Sequence, residues 1–441
     1  MTSSKQNNLK FITKKLKIQI AFLKADKNYQ IKNLIPFSLV VLLSITSVFS
    51  QVETCNCKTD LEFITAKIKK MPSYKKQIKG EKETQFEILY TTLSAKMEQP
   101  LLVEVCYKML LEQMSLINDS HASISMNGIV LSKEDAKDKT QLANFKTTEL
   151  FKNHPKATKS LKELKEELAN KSAEELEGIY NYGNEQKVGI YYADNKKDFI
   201  GVVLESSLDQ WESGEIRFYA THTIGNKYDV YYYHITTRTP GLVKSLTFEN
   251  GRIWSYKKEG NTDNNEFRDK TLPELDFKQI NETTQYLYFG NFSNAKKDAH
   301  VKFYNDVKGK ISAENVIVDL RSNTGGNKKF SDPFLKLLKN KNIYVITNCF
   351  TASNGEQFTV KLKGLKNAKH LGQSTFGVVA YGLNYGRSYD TPSGHFSILP
   401  TDMNFHKYIQ FEGKGISPDT PLDFDRDWIE QTLEIIAKNA Q

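Results

Sequence analysis

The chain is 441 residues long, 39% hydrophobic and 26% charged, a balance that excludes collagen-like, low-complexity and wholly disordered polypeptides. Its 25 Phe and 22 Tyr call for large cores. The formal charge of +9 is confined to the start: the first fifty residues hold eight Lys and one Asp, which leaves 53 basic and 51 acidic groups for everything after them. A near-neutral remainder offers nucleic acid little to bind by charge, so no nucleic-acid partner is expected.

The basic lead-in runs into the most apolar stretch of the chain, Leu34 to Val48. Its fifteen residues suit a secretory signal, whereas a membrane-spanning helix needs about 20. Val48 and Ser50 are small enough to precede a cleavage before Gln51. Residues 1–50 therefore read as a signal peptide with a basic lead-in, and the remainder as exported: periplasmic, cell-surface or secreted. Left uncleaved, the same run would anchor the chain, the one membrane contact expected. Val52-Glu53-Thr54-Cys55 is not a lipobox, so Cys55 is not read as a lipid attachment point.

Four cysteines, Cys55, Cys57, Cys106 and Cys349, fit an oxidising compartment. Cys55 and Cys57 are too close to bond each other comfortably, which points to one of them bridging to Cys106. Cys-x-Cys lacks the spacing and second ligand pair of a zinc site, so no metal is expected. Cys349, in an apolar run, reads as a buried thiol.

Residues 51–177 read as a helical region. Apolar spacing is helical from Asp60 to Met114, with Pro100 dividing two amphipathic segments. From Asn118 to Ile129 the pattern alternates, as a strand does after a polar turn, and Lys156 to Leu176 returns to a helix with a charged face. Residues 178–265 change texture to short Tyr-rich β runs at hairpin spacing, closed by a linker at residues 259–265; this is a small β domain. Residues 266–441 alternate. Strands are expected at Tyr286–Phe292, Asn315–Leu320 and Ile343–Thr347, and helices at Ala295–Ile311, Phe330–Leu338 and Ala352–Leu365, before hairpins through Leu399 and a terminal helix Asp427–Asn439. That rhythm predicts an α/β layer with a mainly parallel sheet.

Two turns lie where α/β folds place chemistry. The strand ending at Leu320 enters Arg321-Ser-Asn-Thr-Gly-Gly326, and the next enters Phe350-Thr-Ala-Ser-Asn-Gly-Glu356 at a helix start. A Ser on a strand–turn–helix presents its hydroxyl at the positive end of the helix, where free N–H groups can hold an oxyanion. The plain reading is that Ser353 only caps the helix and Gly325-Gly326 only turns the chain.

Taken together, Asp319-Leu-Arg-Ser-Asn-Thr-Gly-Gly326, Thr351-Ala-Ser-x-x-Glu356, Gly372-x-x-Thr-Phe-Gly377 and Gly413-Lys-Gly-Ile-Ser-Pro-Asp419 resemble the tail-specific, or C-terminal processing, serine peptidase family. The resemblance covers residues 286–425 and implies a ClpP/crotonase-like core and peptide-bond hydrolysis, with protein or peptide substrates and no cofactor. It makes Ser353 the nucleophile. The bacterial branch takes its base from a Lys after Thr-Phe-Gly, and here that position is Val378, so no Ser–Lys dyad is expected there. The branch that includes the tricorn core uses a Ser-His pair ahead of the core and a Glu before the last motif. The resemblance thus implies His121 as base, with Ser120 and Glu412 to orient and polarise it. Backbone N–H groups of Asn354 and of the Gly325-Gly326 turn would be the oxyanion donors. Glu356 and Asp319 read as buttresses, and Lys414 as a turn residue. The competing reading is a non-catalytic peptide- or lipid-binding protein on the same scaffold.

Overall fold

The computed structural model describes residues 54–439; the apolar run and the cleavage position before Gln51 lie outside them. Four helices open the described chain: α1 (Lys58–Ile68), α2 (Pro72–Gln77), α3 (Glu81–Lys96) and α4 (Val103–Met114). The apolar spacing predicts only two segments over this stretch. Pro72 accounts for one extra break, because proline at the first helical position starts a new helix rather than continuing an old one. The Cys57–Cys106 disulfide ties the start of α1 to α4, while Cys55 lies beside it with all three sulfurs within 4.8 Å of one another. Leu61, Ile64, Phe86, Tyr107 and Leu110 pack these helices against β1 (Ser123–Met126), which follows them.

The helix expected at Lys156–Leu176 is shorter, α5 (Leu161–Ala169). Lys156 is instead drawn into a bridge opposite Glu215, in which the Ala157 N–H donates to the Gly214 carbonyl and the Ile216 N–H to the Pro155 carbonyl, and Leu164 and Leu168 seat the helix on Val202, Leu204 and Ile216. Two short helices, Lys139–Thr147 and Glu149–Lys152, go beyond the sequence expectation.

The β-rich stretch closes into an antiparallel barrel: β2 (Gly178–Tyr182), β3 (Gln186–Tyr192), β4 (Phe199–Ser206), β5 (Ile216–Ile224), β6 (Lys227–Tyr233), β7 (Pro240–Glu249), β8 (Arg252–Ile253) and β9 (Tyr256–Lys258), with β9 returning to β2. Closure leaves no open edge. Its interior is aromatic, with Tyr180, Phe199, Phe218, Tyr228, Phe248 and Tyr256 in one cluster.

The last third is a six-stranded sheet in the order β10 (Leu275–Asn281), β11 (Thr284–Phe289), β12 (Asn315–Asp319), β13 (Asn342–Thr347), β14 (Ala368–Gly372), then Thr420–Pro421. Only the β10–β11 pair is antiparallel. The parallel strands are linked by α6 (Lys297–Val307), α7 (Lys328–Leu338) and α8 (Asn354–Lys363). Val316, Val318 and Val345 face the helices with Phe334 and Phe358, while Ile317, Ile346 and Leu371 face α9 (Trp428–Asn439) through Trp428. A strand buried on both faces reads as an unbroken apolar run, which is why β12 and β13 are legible. The whole is an α/β, ClpP/crotonase-like core with an N-terminal helical segment and an inserted β domain.

One later strand joins the helical region to the core. β15 (Phe396–Leu399) pairs with β1, Leu399 opposite Ser123, so the two are stitched together across most of the chain's length. Cys349 is buried as expected, and desolvation pushes its thiol up to about 12.

Candidate active site

Ser353 stands between β13 and α8 with φ of +54°, a conformation that costs a non-glycine residue about 1–3 kcal/mol. Its surroundings hold it there. The Ser353 N–H donates to Glu356 Oε2 at 3.1 Å and to the Val378 carbonyl at 2.9 Å. Glu356 is fully buried and also accepts the Thr375 hydroxyl at 2.6 Å and the N–H groups of Gly377 and Val378 at 2.7 and 2.8 Å. Burial raises its pKa against the pull of those donors. Asp319 plays the other buttress, forked by Arg321 and bonded by the Tyr286 hydroxyl at 2.8 Å.

The glycine turn backs directly onto this serine. A Cβ on Gly325 would sit 2.6 Å from Ser353 Cβ and 2.7 Å from the Asn354 nitrogen, and its φ is +86°, so only glycine fits. The expected oxyanion donors fare unequally. The Gly325 N–H is already bonded to Asn323 Oδ1 at 2.9 Å, the result of an Asx turn two residues earlier. The N–H groups of Gly326 and Asn354 have no partner among the described residues. Of the three expected donors, two are therefore open.

His121 arrives from the other side. Its Nε2 lies 3.2 Å from Ser353 Oγ, across 232 residues of sequence. Two residues before β1, its backbone is set by Asp119, whose Oδ1 accepts the N–H groups of His121 and Ala122 while Oδ2 takes the Thr401 hydroxyl at 2.6 Å. Gln77 of α2 brackets Asn118 with two 2.8 Å bonds. Desolvation lowers the imidazole pKa below its usual 6.5, opposed by the charge of Asp119, so the ring is neutral at neutral pH.

Glu412 lies at the same mouth, 1% exposed. Its Oε1 accepts the Ser120 N–H at 3.0 Å, and its Oε2 accepts the N–H groups of Val379 and Ala380 at 2.8 and 2.7 Å. Burial nevertheless pushes its carboxyl up to about 7. The expected link from this carboxylate to the imidazole is not formed. Ser120 Oγ and His121 Nδ1 are both buried without a partner among the described residues, because Glu412 is engaged by main-chain donors instead. Lys414 is exposed at the turn beyond.

Sequence reasoning missed three contributors. Asp119 sits two residues before His121, and that Asx-turn spacing was there to be read. Lys227 and Lys244 come from the barrel: Lys227 is 2% exposed and bonded to the Thr375 and Phe376 carbonyls, and Lys244 reaches the Ile117 carbonyl at 3.3 Å. No local pattern marks either of them.

Residues 328–422 match the model of peptidase family S41. No curated protein matches the chain. Among solved structures, a photosystem II D1 C-terminal processing protease is 14% identical, with 87% of this chain and 97% of that one covered at a TM-score of 0.38. The tricorn protease is 12% identical, with 87% and 37% covered at 0.38. A lipoprotein from Streptococcus agalactiae is 18% identical, with 38% and 70% covered at 0.28. None of these scores reaches 0.5, so the site is read from its own geometry. The family match, which spans α7, the Ser353 turn, the Glu356 carboxylate and Glu412, makes this part of the chain similar to the serine-type peptidases of family S41.

Proposed function

We propose that Ser353 is the nucleophile and His121 the general base of an exported peptidase that cleaves protein or peptide chains. The observation that carries this reading is the 3.2 Å contact between Ser353 Oγ and His121 Nε2. A serine hydroxyl is a weak nucleophile until a neutral imidazole takes its proton, and this imidazole is kept neutral by burial. Oγ attacks the scissile carbonyl as its proton passes to Nε2, and the oxyanion forms against the N–H groups of Asn354 and Gly326. Nε2 then returns the proton to the leaving amine, and water repeats the sequence on the acyl-enzyme. The imidazolium needs an acceptor at Nδ1. Turning the Ser120 hydroxyl toward Nδ1 supplies one and leaves Glu412 Oε1 behind it to take the charge. In this reading residues 1–50 direct export, residues 51–177 bring the base, residues 178–265 form the inserted domain and residues 266–441 the core.

The orphaned Nδ1 is the one observation that favours the alternative, a peptide- or lipid-binding protein on the same scaffold without turnover. Hydrolysis of an unfolded protein by the full chain, with Ser353→Ala as control, decides between them. Turnover should fall about 10⁶-fold in the variant while the fold is kept. An inactive parent chain that also resists a fluorophosphonate label establishes the binding protein.

A further inference from the structure

One loop carries both carboxylates of the site. The N–H groups of Gly377 and Val378 hold Glu356, and those of Val379 and Ala380, the next two residues, hold Glu412. Glu356 in turn holds the Ser353 N–H, and Glu412 holds the Ser120 N–H beside the histidine. A shift of this loop would move the serine and the imidazole relative to each other. Its amides are thus the common frame of the two halves.

The carbonyls at the start of the same loop are held from the barrel. Lys227, on β6, sends Nζ to the Thr375 carbonyl at 2.8 Å, the Phe376 carbonyl at 3.2 Å and the Thr247 hydroxyl of β7 at 2.8 Å. Three donors meet three neutral acceptors in a buried setting. An ammonium is expensive to bury, and no carboxylate is bonded to it, so the arrangement is poor as a means of adding stability. It is well suited to fixing two carbonyls in place. The same Nζ makes no contact with Ser353 Oγ, and all its protons are engaged, so it is not placed to accept the serine's proton.

We propose that Lys227 is a positioning residue for the reaction: from the barrel, it anchors residues 375–376 and thereby sets the loop that holds Glu356 and Glu412 in register with Ser353 and His121. The inference rests on the serine–histidine reading above. It gives the barrel a defined part in catalysis, as the outer wall against which the loop is braced.

The test compares Lys227→Met and Lys227→Gln in the full chain, with kcat and KM measured on an unfolded protein substrate and folding followed by circular dichroism. The methionine variant keeps the apolar stem and removes every donor. Its kcat should fall about 10–100-fold with KM within about twofold, since misplacement of reacting groups by about 1 Å has that effect. Fluorophosphonate labelling of Ser353 should slow by the same factor. The glutamine variant retains a donor toward the same carbonyls and should lose less. A folded variant with parental kcat, or one altered in KM alone, overturns the inference. So does a failure of both variants to fold, which makes Lys227 a determinant of the fold. A glutamine variant as inactive as Ser353→Ala overturns it in favour of a basic role for the lysine. Should Ser353→Ala itself remain active, the serine reading fails and the lysine falls with it. If that control is inactive and Lys227→Met is not slowed, only the positioning role is lost.

Discussion

Ser353 and His121 meet at 3.2 Å, yet the chain builds the surroundings of each by different means. Around the serine everything is near in sequence. Glu356 follows three residues later, and its remaining donors come from residues 375–378. Around the histidine, Asp119 apart, the partners are far: Gln77 lies 41 residues before Asn118, Thr401 lies 282 after Asp119, and Glu412 lies 292 after Ser120. The strained backbone of Ser353 is over-determined by one saturated carboxylate, Glu356. The histidine's segment depends on a few long-range side-chain bonds, from Gln77, Thr401 and Glu412.

That contrast is open to attack at both ends. The largest effect is expected from His121→Ala, which removes the proposed base and should lower kcat about 10⁶-fold with little change in melting temperature, because the ring contributes no hydrogen bond to the fold beyond the serine contact. Full turnover in this variant, measured on the same substrate, would return the proton transfer to a lysine. Gly325→Ala attacks the other half. Its new methyl would press on Ser353 Cβ and the Asn354 nitrogen at a φ of +86°, so kcat should drop about 10²-fold and stability by about 1–3 kcal/mol. A variant that melts with the parent and turns over normally would show that the serine turn is less rigid than its bonding implies.

The smallest effect sharpens the comparison through pH. Both His121 and Glu412 must be deprotonated in the proposed mechanism. The first titrates below 6.5, and the second at about 7. Activity should therefore rise with pH along a limb near 7, set by the pair rather than by either group alone. Glu412→Gln removes the upper titration, so the limb should move to lower pH, below 6.5, while kcat on the plateau falls about tenfold. The amide must also turn its NH₂ toward a main-chain donor, at a cost of about 1–3 kcal/mol. A midpoint still near 7 in this variant would place the controlling proton elsewhere.

The difference between the halves also explains what could be read from the sequence. Val316 to Val318 and Ile343 to Ile346 announce buried parallel strands because both faces of each are covered. Thr351-Ala-Ser and the Gly325-Gly326 pair announce a turn because its chemistry is compressed into a few residues. Long-range placement leaves no such trace. The alternation after Asn118 suggests a strand, but its pairing with Phe396–Leu399 depends on a register that no local pattern encodes. The closure of the barrel and the reach of Lys227 into the core are likewise properties of two surfaces meeting. The Asx turn at Asn323 shows the finer limit: it engages the Gly325 N–H that composition alone leaves open.

The pairing of β1 with β15 has a temporal side. The strand that carries His121 into place emerges from the ribosome early, and its partner, Phe396–Leu399, emerges when most of the chain has already been made. Until then the imidazole has no fixed approach to Ser353, and the carboxylate at residue 412 does not yet exist. A nascent or truncated chain that lacks residues 396–412 therefore cannot assemble the proposed site. If Ser353 and His121 act as proposed, strand order alone delays assembly of the site until residues 396–412 have been made.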